Sequence, residues 1–124
     1  MAKFVADAVL DSALNYIKNN GTQLCICSAQ PTDYTSAVTT YKLAIKTGLV
    51  ATDYTGPTDG TVSGRKIQVN LENGLTVDSS GTAVYVAICS ASVLLYVTTR
   101  TSQVLTAGNT LNAPAWQIEI ADPT

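Results

Sequence analysis

The sequence predicts a mainly β fold: a single β-sandwich of jelly-roll or Greek-key type with one N-terminal α-helix, residues 1–124 forming one domain. Three observations lead there. One segment near the N-terminus has the 3.6-residue period of an amphipathic helix, and the chain beyond it alternates with period two. Turn-forming residues cut the alternating part into seven to nine short strands at 8–12-residue spacing. No helical segments alternate with those strands, which excludes a parallel α/β sheet.

The helix is expected over about residues 7–19, where Val9, Leu10, Ala13, Leu14 and Ile17 fall on one side. Asp7 and Asp11 suit the positive end of its dipole and Lys18 the negative end. Asn19, Asn20 and Gly21 stop it, with Gly21 expected as a left-handed cap. The sandwich is expected over about 22–121. In TQLCICSA, Leu24 and Ile26 oppose Cys25 and Cys27, so both faces are apolar and the strand reads as central. Pro31 ends it, and Thr32 to Thr40 reads as a Ser/Thr-rich loop. YKLAIKTGLV reads as a strand with one wet face.

Residues 52–64 carry Gly56-Pro57 and Asp59-Gly60 and read as a loop. RKIQVNLENG puts Ile67, Val69 and Leu71 on one face, and Asn73-Gly74 predicts a hairpin turn into LTVD. TAVYVAIC and VLLYVTT are expected to form a hairpin through Ser90-Ala91-Ser92, with a shorter hairpin around Gly108-Asn109. WQIEI alternates Trp116, Ile118 and Ile120, and Asp122-Pro123 closes the chain.

Charged residues are 13% of the chain, about half the ~25% that is usual. Eighteen Thr and nine Ser replace them, and the apolar fraction is 46%. A chain of this length buries roughly 60–70% of its unfolded surface, enough for an independent core. With a net charge of −2 and seven scattered basic residues, no nucleic-acid partner is expected. Lys42, Lys46, Arg65 and Lys66 come closest to a basic patch and read as solvated side chains. There is no histidine, so a Ser-His-Asp triad, a Cys-His dyad and His-based metal sites are excluded. Asp7 and Asp11 interrupt the apolar run that a signal peptide would need. The apolar stretch 83–97 is fifteen residues, short of the ~20 of a spanning helix, so no membrane partner is expected. The odd cysteine count fits synthesis in a reducing cytoplasm.

Cys25 and Cys27 on an extended strand place their sulfurs on one face about 7 Å apart, too far for a direct disulfide. With Cys89 they read as small buried hydrophobes, and no metal is expected. Asp33, Asp53, Asp59, Glu72, Asp78 and Asp122 fall in or near turns or strand ends, and Glu119 on a wet strand face. Their spacing shows no paired-carboxylate cleft. The glycine-rich run 56–66 lacks the phosphate-loop pattern and has no helix after it. No catalytic residue and no cofactor emerge, and the chain does not read as an enzyme. From Ser79 to Ile118, forty residues, Arg100 is the one charge. Depletion of charge on outward strand faces is the signature of a protein–protein contact.

The opening FVADAVLDSALNYIKNNGTQLCICSAQPTDYTSA, the strand–turn–strand YVAICSASVLLYVTT and the closing TSQVLTAGNTLNAPAWQIEIADP resemble small virion structural proteins of tailed bacteriophages. Some members are similar to capsid cement, or decoration, proteins. That resemblance implies a protein made in the bacterial cytoplasm and carried on the outer capsid surface. Its implied partners are the major capsid protein and copies of itself. It would hold neighbouring capsomers together against the pressure of the packed genome. The alternative is a tail, adaptor or fibre-associated sandwich that binds a receptor, a carbohydrate or another virion protein. Contacts are expected from the N-terminal arm at Lys3, Phe4 and Val5, and from the 52–64 loop and its border at Tyr54, Pro57 and Arg65. Phe4 could instead pack the helix onto the sandwich.

Overall fold

The structure, a computed structural model, describes residues 4–123. Helix α1 spans Asp7–Asn20. Nine strands follow: β1 Gln23–Cys27, β2 Lys42–Lys46, β3 Tyr54–Asp59, β4 Arg65–Val69, β5 Glu72–Thr76, β6 Gly81–Cys89, β7 Leu94–Leu105, β8 Thr110–Ala113 and β9 Trp116–Ile120. They build three antiparallel sheets, ordered β2-β1-β6-β7, β3-β4-β9 and β5-β8. The mainly β class with one principal helix is as expected. β1 is central, and the β6–β7 hairpin turns at Ser90, whose N–H donates to Val93 O at 2.8 Å.

One core joins all three sheets and the helix. Leu24, Ile26, Val86 and Ile88 come from the four-stranded sheet, Ile67, Val69 and Ile118 from the three-stranded sheet, Leu75 and Leu111 from the small one, and Leu14 from α1. The helix lies against β3 and β4. It buries a narrower stripe than its sequence suggested: Leu10 and Leu14 are inside, while Val9 is 60% exposed and Ala13 is on the surface.

Several local expectations are corrected. The 52–64 segment is not wholly loop, because β3 runs through Gly56 and Pro57 and pairs with β4 across a register shift. The Thr32–Thr40 stretch carries a helical turn at Ser36–Thr40, anchored by Ser36 N–H donating to Asp33 Oδ1 at 2.7 Å. Asn73-Gly74 does not turn a hairpin between β4 and β5. It lies inside β5 at a bulge, with Gly74 at φ +71°, and β5 pairs with β8 instead. The Gly108-Asn109 turn exists, but it carries the chain from β7 into the small sheet rather than back along β7. Gly21 is not left-handed: its φ is −76°. Glycine is required there by space, because an added Cβ would lie 2.5 Å from Tyr54 Oη and 2.6 Å from both Ile17 O and Ile88 Cγ2.

A second, smaller core covers the other side of the four-stranded sheet. Cys25, Cys27, Ala87 and Cys89 are buried there with Ala37, beneath Tyr34, Val38 and Tyr41. Much of the charge depletion in β6 and β7 therefore has an internal cause. On the face expected to be an outer contact surface, Tyr85, Ala87, Cys89, Leu94 and Val97 belong to this second core with Tyr34, Ala37, Val38 and Tyr41 of the 34–41 segment. Within β7, Thr101 to Val104 stay open, with Val104 77% exposed.

Candidate functional site

The expected contact residues divide sharply. Lys3 lies outside the described residues. Phe4 is 87% exposed, so it is not buried between the helix and the sheets. Val5 is half-buried. Tyr54 is corrected from a surface contact to a core residue: it is 4% exposed, and its hydroxyl donates to Gly21 O at 2.7 Å. Burial, with the Asp53 and Glu72 carboxylates nearby, pushes its pKa above the ordinary range. Tyr54→Phe should lose about 1 kcal/mol, since it removes the hydroxyl and leaves a buried carbonyl without its donor. Urea denaturation checks this; an unchanged midpoint would mean that Gly21 O finds another partner.

Pro57 and Arg65 are also drawn inward. Arg65 Nε donates to Asp11 Oδ1 at 2.8 Å, Nη1 to Asp59 Oδ1 at 2.8 Å and Nη2 to Pro57 O at 3.3 Å. The pair with Asp11 is the main reason that the Arg65 pKa is raised. Lys18 Nζ adds a bond to Gly56 O at 2.9 Å. Arg65, read as solvated in the sequence, thus ties α1, β3 and β4 together, and Lys42, read the same way, pairs with Asp78 at 3.0 Å.

The three cysteines are fully buried and free, as small hydrophobes would be. Burial pushes the Cys27 thiol up to about 12. A hydrogen bond to Cys89, then burial, raises Cys25, and the same bond lowers Cys89. Among the described residues, no group of three or more His, Cys, Asp or Glu is placed to hold a metal, and no helix is long and apolar enough to cross a membrane.

Glu72 departs most from its expected place. It is 7% exposed, while Leu71, read as an inward residue, is 53% exposed. β4 ends at Val69 and β5 starts at Glu72, so the alternation of Ile67 and Val69 is interrupted at 70–71 and does not carry through to Leu71. Among the described residues Glu72 Oε1 has no hydrogen-bond partner. Desolvation first, and then its interaction with the Asp53 carboxyl, raise the Glu72 pKa; Lys46 opposes the rise. A carboxyl with a raised folded pKa favours folding most below its unfolded pKa, about 4.3, and loses that advantage as pH rises through the folded value. Glu72→Gln should therefore stabilise the protein at pH 7 by about 1 kcal/mol, or about 4 °C in Tm. The gain should shrink toward pH 4, and thermal melts at the two pH values would expose a pH-independent difference if the cause lay elsewhere.

A cavity lies between β7 and the chain entering β9, and no sequence motif pointed to it. It has a volume of about 400 Å³. Ile26, Val86 and Thr98 form one row across its floor, and Ala113, Arg100 and Trp116 stand on its sides. Trp116 stacks on Tyr96, with ring centroids 5.9 Å apart. Arg100 Nη2 donates to Gln103 Oε1 at 3.0 Å. Arg100 Nη1 and Trp116 Nε1 are shielded from solvent and have no acceptor among the described residues. The sequence signal was present in part: Arg100 is the lone charge in a forty-residue stretch.

No family model, curated protein or solved structure significantly matches the chain.

Proposed function

We propose that this chain is a structural protein of a tailed-bacteriophage virion, a capsid cement protein that binds the outer head surface and bridges capsomers. The observation that carries the reading furthest is an apolar surface with no internal partner. Val9 and Tyr16, seven residues apart on α1, are each 60% exposed, and Phe4 just before the helix is 87% exposed. Positions i and i+7 lie on one helical face, here the face turned from the core that holds Leu10 and Leu14. Aromatic residues set in an apolar surface are favoured anchors of protein contacts. The surface of Thr101 to Val104 adds a second, more polar patch that is also uncharged.

A four-stranded and a three-stranded antiparallel sheet contribute to one core, which supports the sandwich reading of Greek-key or jelly-roll type. On the capsid, the partners would be the major capsid protein and symmetry-related copies of this chain. Many such copies would add avidity to a modest contact. The Arg100–Trp116 cavity favours the second reading, a tail or fibre-associated module that binds a receptor or carbohydrate. Cryo-electron microscopy of intact virions carrying the chain separates the two. Density on the outer shell, with α1 against a capsomer, is expected. Density confined to the tail or the portal vertex would overturn the cement reading in favour of the second.

A further inference from the structure

We infer that the cavity between β7 and the 113–116 segment is a binding site for a carboxylate group, held by Arg100 and Trp116. The inference stands apart from any place in a virion, because it rests on the chemistry of the cavity alone.

Arg100 carries a permanent charge, and among the described residues no carboxylate lies within 4.0 Å of it. Among the described residues, its one side-chain hydrogen bond goes to a neutral amide oxygen. An unpaired, partly desolvated cation is costly, and desolvation lowers the Arg100 pKa. The guanidinium stays charged nonetheless. Arg65, the contrasting case in the same chain, has two carboxylates to itself. Trp116 lines the same cavity, and its donor-only N–H is buried without an acceptor among the described residues.

A ligand that meets both needs must be anionic and rich in acceptors. A carboxylate is planar and acceptor-only, and it matches the guanidinium fork in two-bond geometry. The threonines at 98, 99 and 101 offer hydroxyls for further polar groups, and Ile26, Val86 and Ala113 accept an apolar body. Both orphaned nitrogens are shielded from solvent, so binding requires a side-chain rotation that turns them into the cavity. The carboxylate can come from a free organic acid or from an acidic side chain of a peptide; the chemistry recognised is the same.

Trp116 is the single tryptophan of the chain and reports on the site directly. The full chain is titrated with phenylacetate, with N-acetyl-aspartate amide and with neutral phenylacetamide, and Trp fluorescence is followed at fixed ionic strength. A saturable change is expected with either carboxylate, and at least tenfold weaker binding of phenylacetamide. Which of the two acids binds tighter identifies the source. Arg100→Gln should weaken carboxylate binding at least tenfold with its circular dichroism spectrum intact. Should that variant fail to fold, Arg100→Lys keeps the charge without the fork and should bind with intermediate affinity. No saturable response to either acid, equal binding of the neutral amide, or full affinity in the folded Arg100→Gln variant overturns the assignment.

Discussion

Gly21→Ala is expected to destabilise the protein by about 2–3 kcal/mol, the range of an overpacked core. Its backbone φ of −76° suits alanine, so the penalty is not torsional. The new methyl would stand 2.6 Å from Ile17 O, 2.6 Å from Ile88 Cγ2 and 2.5 Å from Tyr54 Oη. The tyrosine can move only by giving up its bond to Gly21 O. The helix carbonyl cannot move without loosening the last turn of α1, where Gly21 N–H donates to Ile17 O at 2.7 Å. Removing a glycine stiffens the unfolded chain and returns at most about 1 kcal/mol. Tyr54→Phe in the same background should be less than additive, because both changes act on one contact. A Tm at or above that of the parent chain would show that α1 and β6 do not approach as closely here as described.

Leu14→Ala should lose about 3 kcal/mol, within the 2–5 typical of a buried leucine. Leu14 is 0% exposed and belongs to the core shared by all three sheets. This substitution tests whether the helix is part of the domain or an arm reserved for a neighbour. The arm alternative would leave the isolated protein's urea midpoint unchanged. A drop of the expected size assigns Leu10 and Leu14 to this chain's own core and leaves Phe4, Val9 and Tyr16 as the surface that meets a partner. Val9→Ser with Tyr16→Ser, by contrast, should change stability by under about 0.5 kcal/mol, so that any loss of assembly in those variants is a surface effect.

The candidate sites were only partly legible beforehand. Phe4 could be picked out because it is the only phenylalanine and lies outside the predicted helix. Tyr54 and Arg65 were misplaced because Gly56-Pro57 and Asp59-Gly60 are ordinary turn signals, and here they occur within and just after a strand. That strand exists because β4 and the helix hold it: Lys18 and Arg65 bind its carbonyls. Arg100 stood out as a lone charge, but the cavity it lines was not legible, because its walls come from β1, β6, β7 and the 113–116 segment, which are far apart in sequence.

What the sequence determined by itself was local and periodic. It set the helix at about 7–19, the alternation of β1, β4, β6 and β9, the hairpin turn at Ser90, and a cysteine face apolar enough to be buried. Each arises from side-chain period and turn chemistry within a window of a few residues. Tertiary structure alone decided which strand pairs with which, that Glu72 enters and Leu71 leaves, that the 34–41 segment roofs the cysteine face, and that Arg65 is paired while Arg100 is not. Strand pairing is a contest among distant segments, and a single bulge exchanges the inside and outside of a strand. Neither leaves a mark within one strand's own residues.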